Sequence, residues 1–127
     1  MTAAAAVLAA LAVATPSDAS MDIIEAARRD APNVVVFHVV RVRTPLFRDQ
    51  GICTVDGRVI RSERGTLFAP DAAIRLKVPC ARQDARTPDG PVRWVDMPAL
   101  KRSGHGRAHL DEKGALVLGE YELYDLH

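Results

Sequence analysis

The chain is poor in rings and in sulfur, and each shortage narrows what it can be. Only six of 127 residues are Phe, Tyr or Trp. Single-stranded nucleic-acid binders stack bases on exposed rings, and with Phe37, Phe47, Phe68, Trp94, Tyr121 and Tyr124 as the whole supply, several needed inside, such a platform has little to be built from. There are two cysteines and no CxxC pair, so neither a zinc knuckle nor a thioredoxin-type redox motif is present. The longest apolar run, residues 3–14 (AAAAVLAALAVA), is too short to cross a bilayer as a helix. No internal repeat and no low-complexity tract follows it. Ser62, Thr66 and Ser103 sit in no nucleophile-elbow or triad-like setting.

What is present is an ordinary globular composition, 48% hydrophobic and 26% charged. The length suits one domain with a modest core. The apolar run leads to Pro16 and then Ser17-Asp18-Ala19, with small residues three and one before a cut after Ala19. Residues 1–19 therefore read as a secretory signal peptide, although Met1-Thr2 carries no basic side chain. Cleavage there leaves residues 20–127 as a single domain of formal charge +2, in a periplasmic or secreted location.

The stretch from Cys53 to Cys80 carries the clearest pattern. If Cys53 faces Cys80, then Val55 faces Val78, Gly57 faces Leu76 and Val59 faces Ile74, all small or apolar. Thr54, Asp56, Arg58, Arg75 and Lys77 fall on the other face. Period-two alternation on both arms predicts a half-buried antiparallel hairpin, and the facing cysteines predict a Cys53–Cys80 disulfide. Two cysteines allow one internal pairing, and an oxidised pair agrees with export.

Around that hairpin the elements follow in order. Asp22 to Asp30 predicts a short helix capped by Ser20 or Asp22 and stopped by Pro32. Asn33 to Arg43 is the strongest strand, seven of eleven residues being β-branched or aromatic. Its first half is apolar on both faces and its second half alternates, so a bulge between the halves is expected. Residues 44–51 form a loop, 81–91 a polar surface loop, and 92–95 a short strand. Asp96 to Arg102 reads as one helical turn with Asp96 as N-cap. Residues 106–111 and 115–126 form a last hairpin whose second arm changes phase at Gly119.

A long strand, a hairpin, a helical linker and a second hairpin predict a mainly β fold, a five-stranded Greek-key barrel with a short N-terminal helix. A small β-sandwich or another α+β domain is the rival architecture. The run from Val34 through GICTVDGRVIRSERGTLFAPDAAIRLKVPC to GRAHLDEKGALVLGEYELYDL resembles small exported bacterial OB-like domains in strand order and glycine placement.

Charge is uneven. Arg28 to Arg107 holds 16 basic and eight acidic residues, whereas His109 to His127 holds five acids and one lysine. The candidate ligand surface is Arg58, Arg75 and Lys77, flanked by loops 44–51 and 111–115. Its partner would be a protein or an anionic envelope component. His105, His109 and Asp111 are weak metal candidates: Gly104 and Gly106 break the helix that would align the two histidines, although His109 and Asp111 share a strand face. His38, inside the apolar strand, is a candidate buried histidine. No cofactor is implied. The reading is a non-enzymatic exported binding module; the alternatives are a cytoplasmic nucleic-acid-binding OB domain with a mis-assigned start, and a small hydrolase or metal-dependent enzyme using His38, His105 or His109.

Overall fold

The computed structural model describes residues 16–124, with side chains from Met21 on. Helix α1 (Pro16–Asp30) precedes β1 (Asn33–Arg43), β2 (Gln50–Arg64) and β3 (Ala73–Ala81). Strand β4 (Val95–Asp96), helix α2 (Met97–Arg102), β5 (His105–Leu110) and β6 (Leu116–Leu123) complete the chain. The strands form one sheet in the order β4-β3-β2-β1-β5-β6, which curls until β6 approaches β3 and nearly closes a barrel. The mainly β class is as expected. A sixth strand is added by Val95–Asp96, which pairs in parallel with Cys80–Ala81 and replaces the expected strand at 92–95.

The N-terminal helix begins at Pro16 rather than at Asp22, so neither Ser20 nor Asp22 caps it. Proline suits a first helical position because its missing N–H would be unpaired there anyway. Most of the expected leader, residues 1–15, lies outside the described residues.

Strand β1 is the central element and is built as its two halves suggest. Val34 to Phe37 are buried on both faces, and the strand then emerges into solvent. The register against β2 shifts between Val39 and Arg41, which leaves Val40 bulged outward. The inner layer is Val35, Phe37, Val55, Val59, Leu76 and Val78, with Leu100 and Leu110 behind them. Gly57 lets β2 cross close to β1: a Cβ there would stand 2.6 Å from the His38 carbonyl oxygen.

Helix α2 plugs one opening of the barrel. The Asp96 carboxylate accepts the Ala99 N–H at 3.1 Å, Pro98 occupies the first turn, and Met97 and Leu100 point inward. The second arm of the last hairpin does change phase where expected. Leu118 and Gly119 both have positive φ, which brings Leu116 and Tyr121, an odd number of residues apart, against the same core. A Cβ on Gly119 would lie 2.9 Å from the Arg93 carbonyl oxygen, and Arg93 N–H donates to Leu118 O at 3.2 Å. Glycine thus allows the closing approach between β6 and the segment beside β3.

The Cys53–Cys80 disulfide is present, with a Cα separation of 5.9 Å, and both residues are fully buried. The register around it is displaced by two residues from the expected one. Cys53 faces Val78, Cys80 faces Gly51, and Val55 faces Leu76. A two-residue displacement preserves which side chains point inward, so the hydrophobic pattern is equally satisfied by both registers. Strand twist draws one diagonal of an antiparallel pair together, and Gly51, having no side chain, leaves room for the bridge beside it.

Candidate functional site: a basic outer face

Three strands present their outward side chains in register. Arg41, Asp56 and Arg75 form one row across β1, β2 and β3. Arg43, Thr54 and Lys77 form the next, towards the end of β1, and His38, Arg58 and Ala73 form the row on the other side. Arg41 reaches this face only because the bulge at Val40 resets the alternation of β1.

The three residues expected to make a ligand surface, Arg58, Arg75 and Lys77, are exposed on this face. Two more cations, Arg41 and Arg43, join them from β1. Asp56 is the one carboxylate among the five. Arg75 Nε donates to Asp56 Oδ1 at 2.6 Å, and Arg43 Nη2 stands 3.5 Å from Oδ2. The Arg75 hydrogen bond, assisted by the charges of Arg75, Arg43 and Arg41, outweighs desolvation and holds the Asp56 carboxyl below its ordinary value. Arg58 is occupied differently, donating from Nη1 to the Asp71 carbonyl at 3.1 Å. Lys77 and Arg41 have no ion-pair partner among the described residues. Val40, Asp56, Arg58 and Arg75 are among the residues lining a shallow concavity of about 500 Å³ here. The arrangement suits an anion that lies across the strands.

The flanking loops do not share this site. The first loop is two residues shorter than the expected 44–51, because Gln50 and Gly51 join β2, and it adjoins the Arg43–Lys77 end of the face. Loop 111–115 belongs at the opposite end of β1, where Asn33 Nδ2 donates to Asp111 O and Gly114 lies beside Leu67 and Phe68. A hairpin loop at the far end of an antiparallel neighbour cannot reach the mouth of the first.

The histidines are also dispersed. His38 is exposed rather than buried, its ring packed edge-on to His105 at a centroid distance of 5.3 Å. His109 is buried, and its Nε2 lies 3.0 Å from Glu122 Oε2. Asp111 is a turn residue: its Oδ1 accepts the Lys113 and Ala115 N–H groups at 2.8 and 3.0 Å. Among the described residues no three His, Cys, Asp or Glu side chains gather to hold a metal ion. Ser62 and Ser103 each donate to a backbone carbonyl, of Phe68 and His105 respectively, which engages both hydroxyls in loop and strand structure.

A second charged cluster was not legible in the sequence. Glu120 is completely buried, bonded by the Arg28 guanidinium of α1, with Arg93 Nη1 at 3.7 Å. Glu122, Arg107, His109, Glu63 and Arg61 extend it across β6, β5 and β2, and the Arg107 guanidinium stacks over the Tyr124 ring at 4.5 Å. This network clamps α1 onto the sheet. The only sequence signal for it was the phase change at Gly119, which turns Glu120 and Glu122 to the outer face under the helix. Compared with protein-family models, with curated proteins and with solved structures, the chain matches none.

Proposed function

We propose that this chain is a non-enzymatic, exported binding module whose outer β1–β3 face captures an anionic partner of the cell envelope. The observation that carries the reading is the imbalance on that face: Arg41, Arg43, Arg58, Arg75 and Lys77 stand in three consecutive rows against Asp56 alone. Five such charges on three adjoining strands repel in the free protein, and that repulsion falls when an anion arrives. The buried Cys53–Cys80 bridge supports export, since disulfides persist in oxidising compartments. The order β3-β2-β1-β5-β6, with β6 returning to β3 and a helix inserted before β5, supports an OB-like barrel, a scaffold that presents ligands on this side. Single-stranded nucleic acid is the weaker reading because the three rows carry no Phe, Tyr or Trp ring on which a base could stack.

The test is retention on an immobilised sulfated polysaccharide at increasing salt. The native protein is expected to elute late, with log affinity falling linearly against log salt. The Arg58→Glu/Arg75→Glu/Lys77→Glu variant is expected to pass straight through. Equal retention of the two proteins refutes the assignment of the face.

A further inference from the structure

The loop leaving the basic face ends in the two most exposed apolar side chains among the described residues. Leu46 is 80% exposed and Phe47 is fully exposed. Phe47 has φ of 60°, a left-handed conformation that bulky residues rarely adopt. The loop beneath the tip is held firmly. Pro45 packs against Gly51, where a Cβ would stand 3.1 Å from its ring, and Arg82 N–H donates to Asp49 O at 2.7 Å. The two apolar side chains are therefore held out into water by a braced stem. Ile52, about half exposed and paired with Pro79, continues the apolar surface from the loop to the edge of the basic face.

Cations surround the stem. Arg43 and Arg48 bracket the tip in sequence, and Lys77 lies in the Arg43 row. Arg82, Lys101 and Arg102 share a cavity with Thr44, the first residue of the loop. All six are exposed. Asp49, 3.9 Å from Arg82 Nε, is the acid within the loop. A tip of two side chains is far too small for a stable protein interface, which buries roughly 800 Å² on each partner. Apolar side chains that enter the headgroup boundary while a cationic collar meets anionic headgroups are the recognised physics of a peripheral membrane anchor. Among the described residues no helix is long and apolar enough to cross a membrane.

We propose that the anionic partner is a lipid surface, docked by insertion of Leu46 and Phe47 with the basic collar against the headgroups. This rests on the basic-face reading and names its ligand. The test is co-sedimentation with vesicles of phosphatidylcholine alone or with phosphatidylglycerol added, at several salt concentrations. The native protein is expected to bind the mixed vesicles only. Leu46→Ser/Phe47→Ser should bind at least tenfold more weakly, and neutralising Arg43, Arg48 and Lys77 to Gln should weaken binding about fivefold per charge. Both variants alter exposed side chains, so native circular dichroism is expected and checks folding.

Undiminished binding by Leu46→Ser/Phe47→Ser overturns the proposal. So does a native protein that ignores all vesicles. If that protein is still retained by the sulfated polysaccharide, the basic-face reading stands and only the lipid assignment falls; if it is not, both fall. A sedimentation coefficient that drops on tip substitution, without any vesicle effect, shows that a second copy covers the tip and also overturns it.

Discussion

Reducing the Cys53–Cys80 bridge should destabilise the barrel by about 3.5 kcal/mol, the loop-closure entropy of a cross-link spanning 27 positions. The structure makes this a clean measurement. Both cysteines are completely buried, so the thiols left after reduction still fill their places in the core. The β2–β3 ladder, from Gln50–Ala81 to Arg58–Ala73, does not depend on the bridge for its hydrogen bonds. The loss should therefore arise mainly in the unfolded chain, which gains freedom, and little in the native one. With a urea m-value of about 1.5 kcal/mol/M for a domain of this size, the unfolding midpoint should fall by roughly 2 M. The thermal midpoint should fall by roughly 15–20 °C. The assay is urea unfolding of oxidised and reduced protein, followed by circular dichroism, with Cys53→Ala/Cys80→Ala as a third sample. That variant should be less stable than the reduced native protein by about 1–2 kcal/mol, because it also loses two buried sulfurs. Coincident midpoints for oxidised and reduced protein would refute the argument. A reduced protein with a lost native spectrum would show instead that the bridge holds the native packing itself.

The clamp between α1 and β6 gives a second prediction. Arg28→Met leaves Glu120 buried with only Arg93 nearby, and should cost about 3–5 kcal/mol, whereas Arg28→Met/Glu120→Leu should recover most of that loss; equilibrium unfolding of the three proteins checks it, and equal instability of the single and double variants contradicts it. Glu122 sets a pH dependence. Burial raises its carboxyl, but the His109 hydrogen bond and the charges of Arg28, His109 and Arg107 outweigh burial and leave it below its ordinary value near 4.5. A carboxyl that is more acidic when folded contributes stability above the unfolded value and loses it as pH falls through the folded value. The native protein should therefore weaken as pH drops below about 4.5, and Glu122→Gln should flatten that part of the stability profile; parallel profiles for the two would dismiss the ion pair as a stabilising element.

Much of the fold could be read from local pattern. The two-faced burial of Val34–Phe37, the inward alternation of Val55 and Val59 against Leu76 and Val78, the Asp96 cap and the phase change at Gly119 each depend on a few neighbouring residues. Each is decided by side-chain period or turn chemistry. The basic face was legible in part, since Arg58, Arg75 and Lys77 alternate with core residues on a recognisable hairpin. Arg41 and Arg43 joined it only through the bulge at Val40, whose position depends on how β1 fits two neighbours at once. The histidines misled for a similar reason. His38 sits in an apolar run but just before that bulge, and His109, alternating with Arg107 and Asp111 on the polar side of its strand, is covered by β6 and its charged network.

The sequence by itself determined which residues of the Cys53–Cys80 hairpin point inward, that the cysteines could meet, and that the barrel would be mainly β. Alternation fixes a face but is unchanged by a slip of two residues, so the diagonal pairing of Cys53 with Cys80 was decided by sheet twist and the space beside Gly51. The tertiary structure alone decided that Glu120 is buried under Arg28 and that loop 111–115 lies away from loop 44–51. It alone decided that Leu46 and Phe47 stand out from a basic collar assembled from three separate segments. Those features depend on distant parts of the chain arriving at one place, and no local period encodes that.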